Sequence, residues 1–158
     1  FNGPEVRRHL LMYLPMSLAQ EERWFENLLG RLERQTDVLL AIETADGVHI
    51  GNVGLHSIDW KNRNAEFGIA IGEKSYWGQG YGTDATHTIL SLAFGEMNLH
   101  RVSLRVDTDN PRGIRCYEKV GFQREGTLRH VGFKEGAYHD QYIMSILESE
   151  FEINESYL

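Results

Sequence analysis

The stretch from Ala65 to Ala85, AEFGIAIGEKSYWGQGYGTDA, constrains the fold more than any other part of the chain. Its first eight residues alternate and predict a strand over Ala65–Gly72. Three glycines then fall at alternate positions, Gly78, Gly80 and Gly82. From Gly82 to Met97 the apolar residues Ala85, Ile89, Leu92, Ala93 and Phe94 form a helical stripe. RVSLRVD, Arg101–Asp107, reads as a further strand. Strand, glycine loop, helix and strand in that order make a crossover unit.

The flanking segments are of a different kind. Ser17 followed by Gln20 is a capping box, and Leu18, Trp24, Phe25, Leu28, Leu29 and Leu32 extend it into a helix at about 18–34. Two β-rich runs meet at the turn Ala45–Gly47, which predicts a hairpin. Asn110 and Pro111 start a short helix that Gly121 stops. Two last strands join at Lys134–Ala137. A crossover within an otherwise antiparallel meander implies an α/β (α+β) domain, with one mixed sheet and helices on both faces. Residues 1–158 read as a single domain, without repeats or a linker.

A helix N-terminus carries unpaired N–H groups and the positive end of the helix dipole. Glycines let a ligand approach the backbone closely. The loop therefore predicts an anion cradle, with phosphate the usual guest, or else simply a tight strand-to-helix turn. A P-loop needs Lys-Ser/Thr after its last glycine, whereas Thr83-Asp84 follows here. A dinucleotide loop needs G-x-G-x-x-G after the first strand of a parallel unit, and this spacing is G-x-G-x-G. Both standard nucleotide readings fail.

A net charge of −7 disfavours a non-specific grip on nucleic acid or on an anionic membrane. A single cysteine, Cys116, excludes an internal disulfide and fits a cytoplasmic setting. The seven histidines show no zinc spacing, so no metal is expected. There is no apolar run of membrane-span length and no signal peptide pattern. The opening FNGPEVRRHL reads as the interior of a longer sequence.

YWGQGYGTDA resembles the acetyl-coenzyme A loop of the GNAT N-acetyltransferase superfamily, Gln/Arg-x-x-Gly-x-Gly/Ala, with Gly80 and Gly82 as its two glycines. Trp77 stands where the family has Gln or Arg, a departure that recurs in the branch acetylating ribosomal-protein N-termini. NPRGIRCYEKVGF resembles the family's second motif, with Asn110, Gly113, Tyr117, Gly121 and Phe122 at the matching offsets. The resemblance covers roughly residues 1–150, with the family's first strand falling upstream of Phe1. It implies a GNAT-type, mostly antiparallel sheet that splays at its centre.

The resemblance also implies roles. Acetyl-CoA would be the co-substrate, its diphosphate held by the loop around Trp77, Gly78, Gln79, Gly80, Tyr81, Gly82 and Thr83. Its pantetheine arm would lie along Phe67–Ile71, including Ile69, Ala70 and Ile71, and would hydrogen-bond Asn110, whose other role is as an N-cap. Tyr117 would also contact the cofactor and protonate the leaving thiolate. Glu66, fourteen residues before Gly80, matches the base of the histone-acetylating branch. The alternative is a structural glutamate paired with Arg63 or Lys61. The acceptor is expected to be a protein N-terminus or amino-acid-like amine, with a polyamine as the alternative. It would bind near Trp24, Phe25, Trp60, His130, Phe133, Tyr138 and His139. A non-catalytic acyl-CoA-binding module is the rival of another class, and a nucleoside-triphosphate binder a third. Homodimers are common in the family.

Overall fold

The computed structural model describes residues 17–151, apart from the side chains of Glu21 and Leu28. Expectations for residues 1–16, including the PEVRR start, lie outside the described residues. The first helix, α1 (Leu18–Glu33), opens with both halves of the capping box. Gln20 N–H donates to Ser17 Oγ, and Ser17 N–H donates to Gln20 Oε1 at 2.8 Å. Strands β1 (Val38–Glu43) and β2 (His49–Asp59) form the expected hairpin, turned by Gly47 at φ 82°. Next come β3 (Asn64–Ile71), α2 (Tyr81–Ser91), β4 (Arg101–Asp107) and α3 (Pro111–Val120). The last hairpin is β5 (Gln123–Lys134) and β6 (Ala137–Leu147).

The α2 helix is shorter than its apolar stripe implies. Leu92–Glu96 widens into a π turn, closed by Met97 N–H donating to Leu92 O at 3.0 Å. Gly95 is a weak helix former, and Asn98, at φ 55°, turns the chain towards β4. Ala93 and Phe94 remain buried on the same side as Ile89 and Leu90, so the apolar stripe outlasts the regular helix.

The six strands form one sheet in the order β1-β2-β3-β4-β6-β5. Every pairing is antiparallel except β3–β4, which the α2 crossover makes parallel. One sheet face carries Val53, Leu55, Ala65, Phe67, Val102, Leu104, Met144 and Ile146, all buried with residues of α2 and with Ile114 of α3. Period-2 alternation puts Glu66, Ser103 and Arg105 on the other face.

The β3–β4 pairing is short. It joins only Asn64 to Arg101, Ala65 to Val102 and Glu66 to Ser103. Beyond Glu66, β3 stays with β2 as far as Ile71, while β4 stays with β6 as far as Asp107. The two central strands therefore diverge, and the β4-facing edge of Phe67–Ile71 has no β4 partner. No helix among the described residues is long and apolar enough to cross a membrane.

Candidate active site

A cavity of about 560 Å³ is built from three pieces: the end of β3, the glycine loop and the β4–α3 turn with α3. Ile69, Ala70 and Ile71 form the first wall. Trp77, Gly78, Gly80, Gly82 and Thr83 form the second, and Asn110, Cys116 and Tyr117 belong to the third.

Backbone conformation explains the loop. Gly78 and Gly80 lie at φ 73° and 89°, a region L-residues rarely adopt. Gly80 is the N-cap of α2, and no side chain caps the helix there. The first intrahelical bond is Asp84 N–H to Gly80 O, at 3.0 Å. The amides of Tyr81, Gly82 and Thr83 therefore have no acceptor within the helix, and they stand at its positive end. That donor set fits a diphosphate. Space beside Gly78 and Gly80 is open, with no heavy atom within 4 Å of where a Cβ would stand.

Neighbouring side chains hold the loop in place. Trp77 Nε1 donates to Ile71 O at 3.0 Å, tying the loop to the end of β3. Gln79 Nε2 donates back to Ser75 O, and Tyr81 packs edge-on against Tyr76. The side chains of Gln79 and Tyr81 are thus engaged within the loop. Cys116 Sγ lies 3.5 Å from Thr83 Oγ1, beneath the first turn of α2.

Asn110 caps α3, its Oδ1 accepting from Gly113 N–H at 3.1 Å. The capping role is realised, and the side chain also borders the cavity. Tyr117 packs edge-to-face on Phe67, the first β3 residue beyond the segment paired with β4, with ring centroids 5.7 Å apart. It also packs on Phe122 at 5.9 Å. Burial, and secondarily the neighbouring Cys116, push its phenol above the usual range, so the hydroxyl stays protonated at neutral pH.

Glu66 does not line the cavity. It occupies the last position of β3 that pairs with β4, where those strands part, on the polar face. Its partners are His56 Nε2 at 3.5 Å and Arg105 Nε at 3.9 Å. Pairing with Arg63 is not what the structure shows. Arg63 turns to Asn98 and Glu148 instead. Glu66 and Tyr117 sit on opposite faces of the sheet, and the gap between β3 and β4 is where those faces meet.

Three cations of the cavity wall escape a motif search: Arg112, Arg115 and Lys119. They recur at helical spacing along one side of α3, a local positive stripe in a chain of net charge −7. The charge pattern of that helix was the available signal. Arg112 also lies 4.9 Å from the Trp77 ring. The aromatic residues expected to contact the acceptor are dispersed. Trp24, Phe25, Trp60, Phe133 and Tyr138 are exposed, and none of them borders the cavity. His130 stacks on Tyr138. His139 reaches the site indirectly, with Nδ1 3.7 Å from Asp109 on the cavity wall. Among the described residues, no group of three or more His, Cys, Asp or Glu side chains is placed to hold a metal ion.

Comparison with known proteins agrees with this geometry. Spermidine N(1)-acetyltransferase of Vibrio cholerae is 33% identical over 131 residues, 83% of this chain and 73% of that one. The putative ribosomal N-acetyltransferase YdaF of Bacillus subtilis is 33% identical over 137 residues, 85% and 74% of the two chains. A crystal structure of spermidine N-acetyltransferase from Vibrio cholerae, in complex with CoA and spermine, superposes with a TM-score of 0.86 at 28% identity. That match covers 94% of this chain and 86% of the other. Residues 1–123 match the family model of the acetyltransferase (GNAT) domain. With its glycine loop, its diverging strands and the Asn110–Phe122 motif, the chain belongs to the GNAT acetyltransferase family.

Proposed function

We propose that this acetyltransferase moves the acetyl group of acetyl-CoA to a primary amine of a polyamine. The observation that carries the transfer chemistry is the β3–β4 divergence. It opens between an uncapped helix N-terminus at Gly80 and the phenol of Tyr117. Acetyl-CoA supplies an activated thioester, so no nucleophilic side chain is required.

In this reading the amides of Tyr81, Gly82 and Thr83 donate to the diphosphate, and Arg112, Arg115 and Lys119 balance phosphate charge. The unpaired edge of Phe67–Ile71 offers its main-chain groups to the pantetheine amides, as a strand edge does to an added strand. Asn110 supports the same arm. Glu66 draws a proton from the acceptor ammonium, and the freed amine forms the C–N bond as the C–S bond breaks. The amine's second proton is balanced by the one Tyr117 gives to the leaving sulfur. The products are the N-acetylated amine, CoA thiol and one proton.

Likeness to spermidine acetyltransferase of Vibrio cholerae, in sequence and in structure, supports a polyamine acceptor. The net charge of −7 is compatible with a polycation. Likeness to the putative ribosomal acetyltransferase supports a second reading, a protein N-terminal amine. Thiol release from acetyl-CoA, measured with spermidine, spermine and peptides bearing N-terminal Ala or Ser, tests both. Preference for the polyamines is expected. Preference for the peptides reverses the acceptor assignment. CoA binding with no acceptor-driven thiol release overturns the catalytic reading in favour of a binding module.

A further inference from the structure

Glu66 does not stand alone on the polar face of the sheet. His56 on β2 is its direct cross-strand neighbour, with Nε2 3.5 Å from Glu66 Oε2. The ring extends over Gly68. Its Cε1 and Nδ1 lie 3.8 and 3.9 Å from where a Cβ on Gly68 would stand. Glu66, Gly68 and Ala70 share one strand face, and Ala70 already belongs to the cavity wall. The imidazole thus lies over Gly68, which stands between Glu66 and Ala70 on that strand face.

Two features distinguish this arrangement from an ordinary cross-strand pair. The β2–β3 ladder slips out of register immediately after His56, and Ser57 is held at φ 51°. A bulge with a left-handed non-glycine residue is a strained device that re-aims side chains, and such devices gather at active sites. Both side chains also remain open to solvent, with the imidazole 44% and the carboxylate 31% exposed. A proton passed along the pair thus has a route to water. Among the described residues, His56 from β2 and Arg105 from β4 are the charged or titratable groups that face Glu66.

We propose that His56 is a second proton-handling residue of the acceptor site, taking the proton that Glu66 draws from the ammonium and releasing it to water. The inference rests on the acetyltransferase reading above and names a residue that reading lacks. One N–H bond of the ammonium breaks, its electron pair stays on nitrogen for attack, and the proton ends on imidazole nitrogen. A carboxyl group is the stronger acid of the two, so transfer from Glu66 to imidazole runs downhill.

The test is His56→Gln in the full chain, with CoA binding measured by calorimetry. A kcat loss of about 10- to 100-fold with CoA affinity unchanged is expected, at the lower end of general-base effects. Added imidazole restores turnover to His56→Ala. Wild-type turnover in His56→Gln, or failure of imidazole to rescue His56→Ala, overturns the proposal. An activity-free readout is the ¹⁵N resonance of His56 Nε2, which moves on Glu66→Gln if ring and carboxylate interact. An unmoved resonance also overturns it. If the wild-type protein acetylates no amine, the acetyltransferase reading fails, while the resonance still reports on the contact.

Discussion

Replacing Gly80 by alanine adds one methyl group to the left-handed residue that caps α2. No atom lies within 4 Å of the new Cβ, so the cost is not steric crowding by neighbours. It comes from the backbone. At φ 89° and ψ −8° an L-residue pays about 1–2 kcal/mol relative to its favoured regions. If the loop keeps its shape, the cost appears as lower stability, about 2–4 °C of Tm per kcal/mol for a chain of this size. If the loop relaxes, the amides of Tyr81–Thr83 lose their common aim. The cost then appears as CoA affinity, weakened about 5- to 30-fold. Either way, the CoA-saturated protein is destabilised by a similar total. Calorimetric CoA titration, combined with thermal unfolding at zero and saturating CoA, measures that total. Asparagine tolerates the left-handed region better, so Gly80→Asn falls between glycine and alanine. Gly95→Ala is the control. Its Cβ also meets open space and its φ is not left-handed, so it is neutral or slightly stabilising. Gly80→Ala with wild-type Tm and wild-type CoA affinity refutes the reasoning.

Tyr117→Phe preserves ring packing on Phe67 and Phe122, so steady-state turnover drops about 100-fold or more while CoA affinity by calorimetry is retained. Lys134→Met breaks the ion pair with buried Asp107, to which Gln141 also donates. Urea unfolding reports a loss of about 3–5 kcal/mol, the cost of an uncompensated buried charge. Glu125 accepts from Arg101 and Ser145, which hold its carboxyl down to about 2 from an ordinary value of 4.5. A depressed carboxyl stabilises the fold above the unfolded value and loses that contribution as pH falls through the folded one. Stability of the wild type therefore declines between about pH 4.5 and 2, and Glu125→Gln declines less over that window in acid-titrated urea melts.

Much of the site was legible because its parts are local. The Ser17–Gln20 capping box, the glycine loop and the Asn110–Gly121 helix each span a few residues and follow from local backbone chemistry. Arg112, Arg115 and Lys119 escaped notice because nothing in their spacing says which side of α3 faces a cavity. His56 escaped for a similar reason. It is ten residues from Glu66 along the chain and becomes its neighbour only through the β2–β3 register. The expected partners of Glu66 were nearby in sequence, Arg63 and Lys61, but the turn at Arg63, with φ 58°, sends that side chain to Asn98.

By itself the sequence determined the order of elements, the crossover at the glycine loop and the capped start of α3. These follow from periodicity, capping and backbone freedom, all short-range properties. Tertiary structure alone decided where β3 and β4 part, and so which residues surround the space between them. That point depends on β3 staying with β2 and β4 staying with β6, contacts between segments distant in the chain. Pairing between remote strands is fixed by the packing of the whole sheet, which no local pattern encodes.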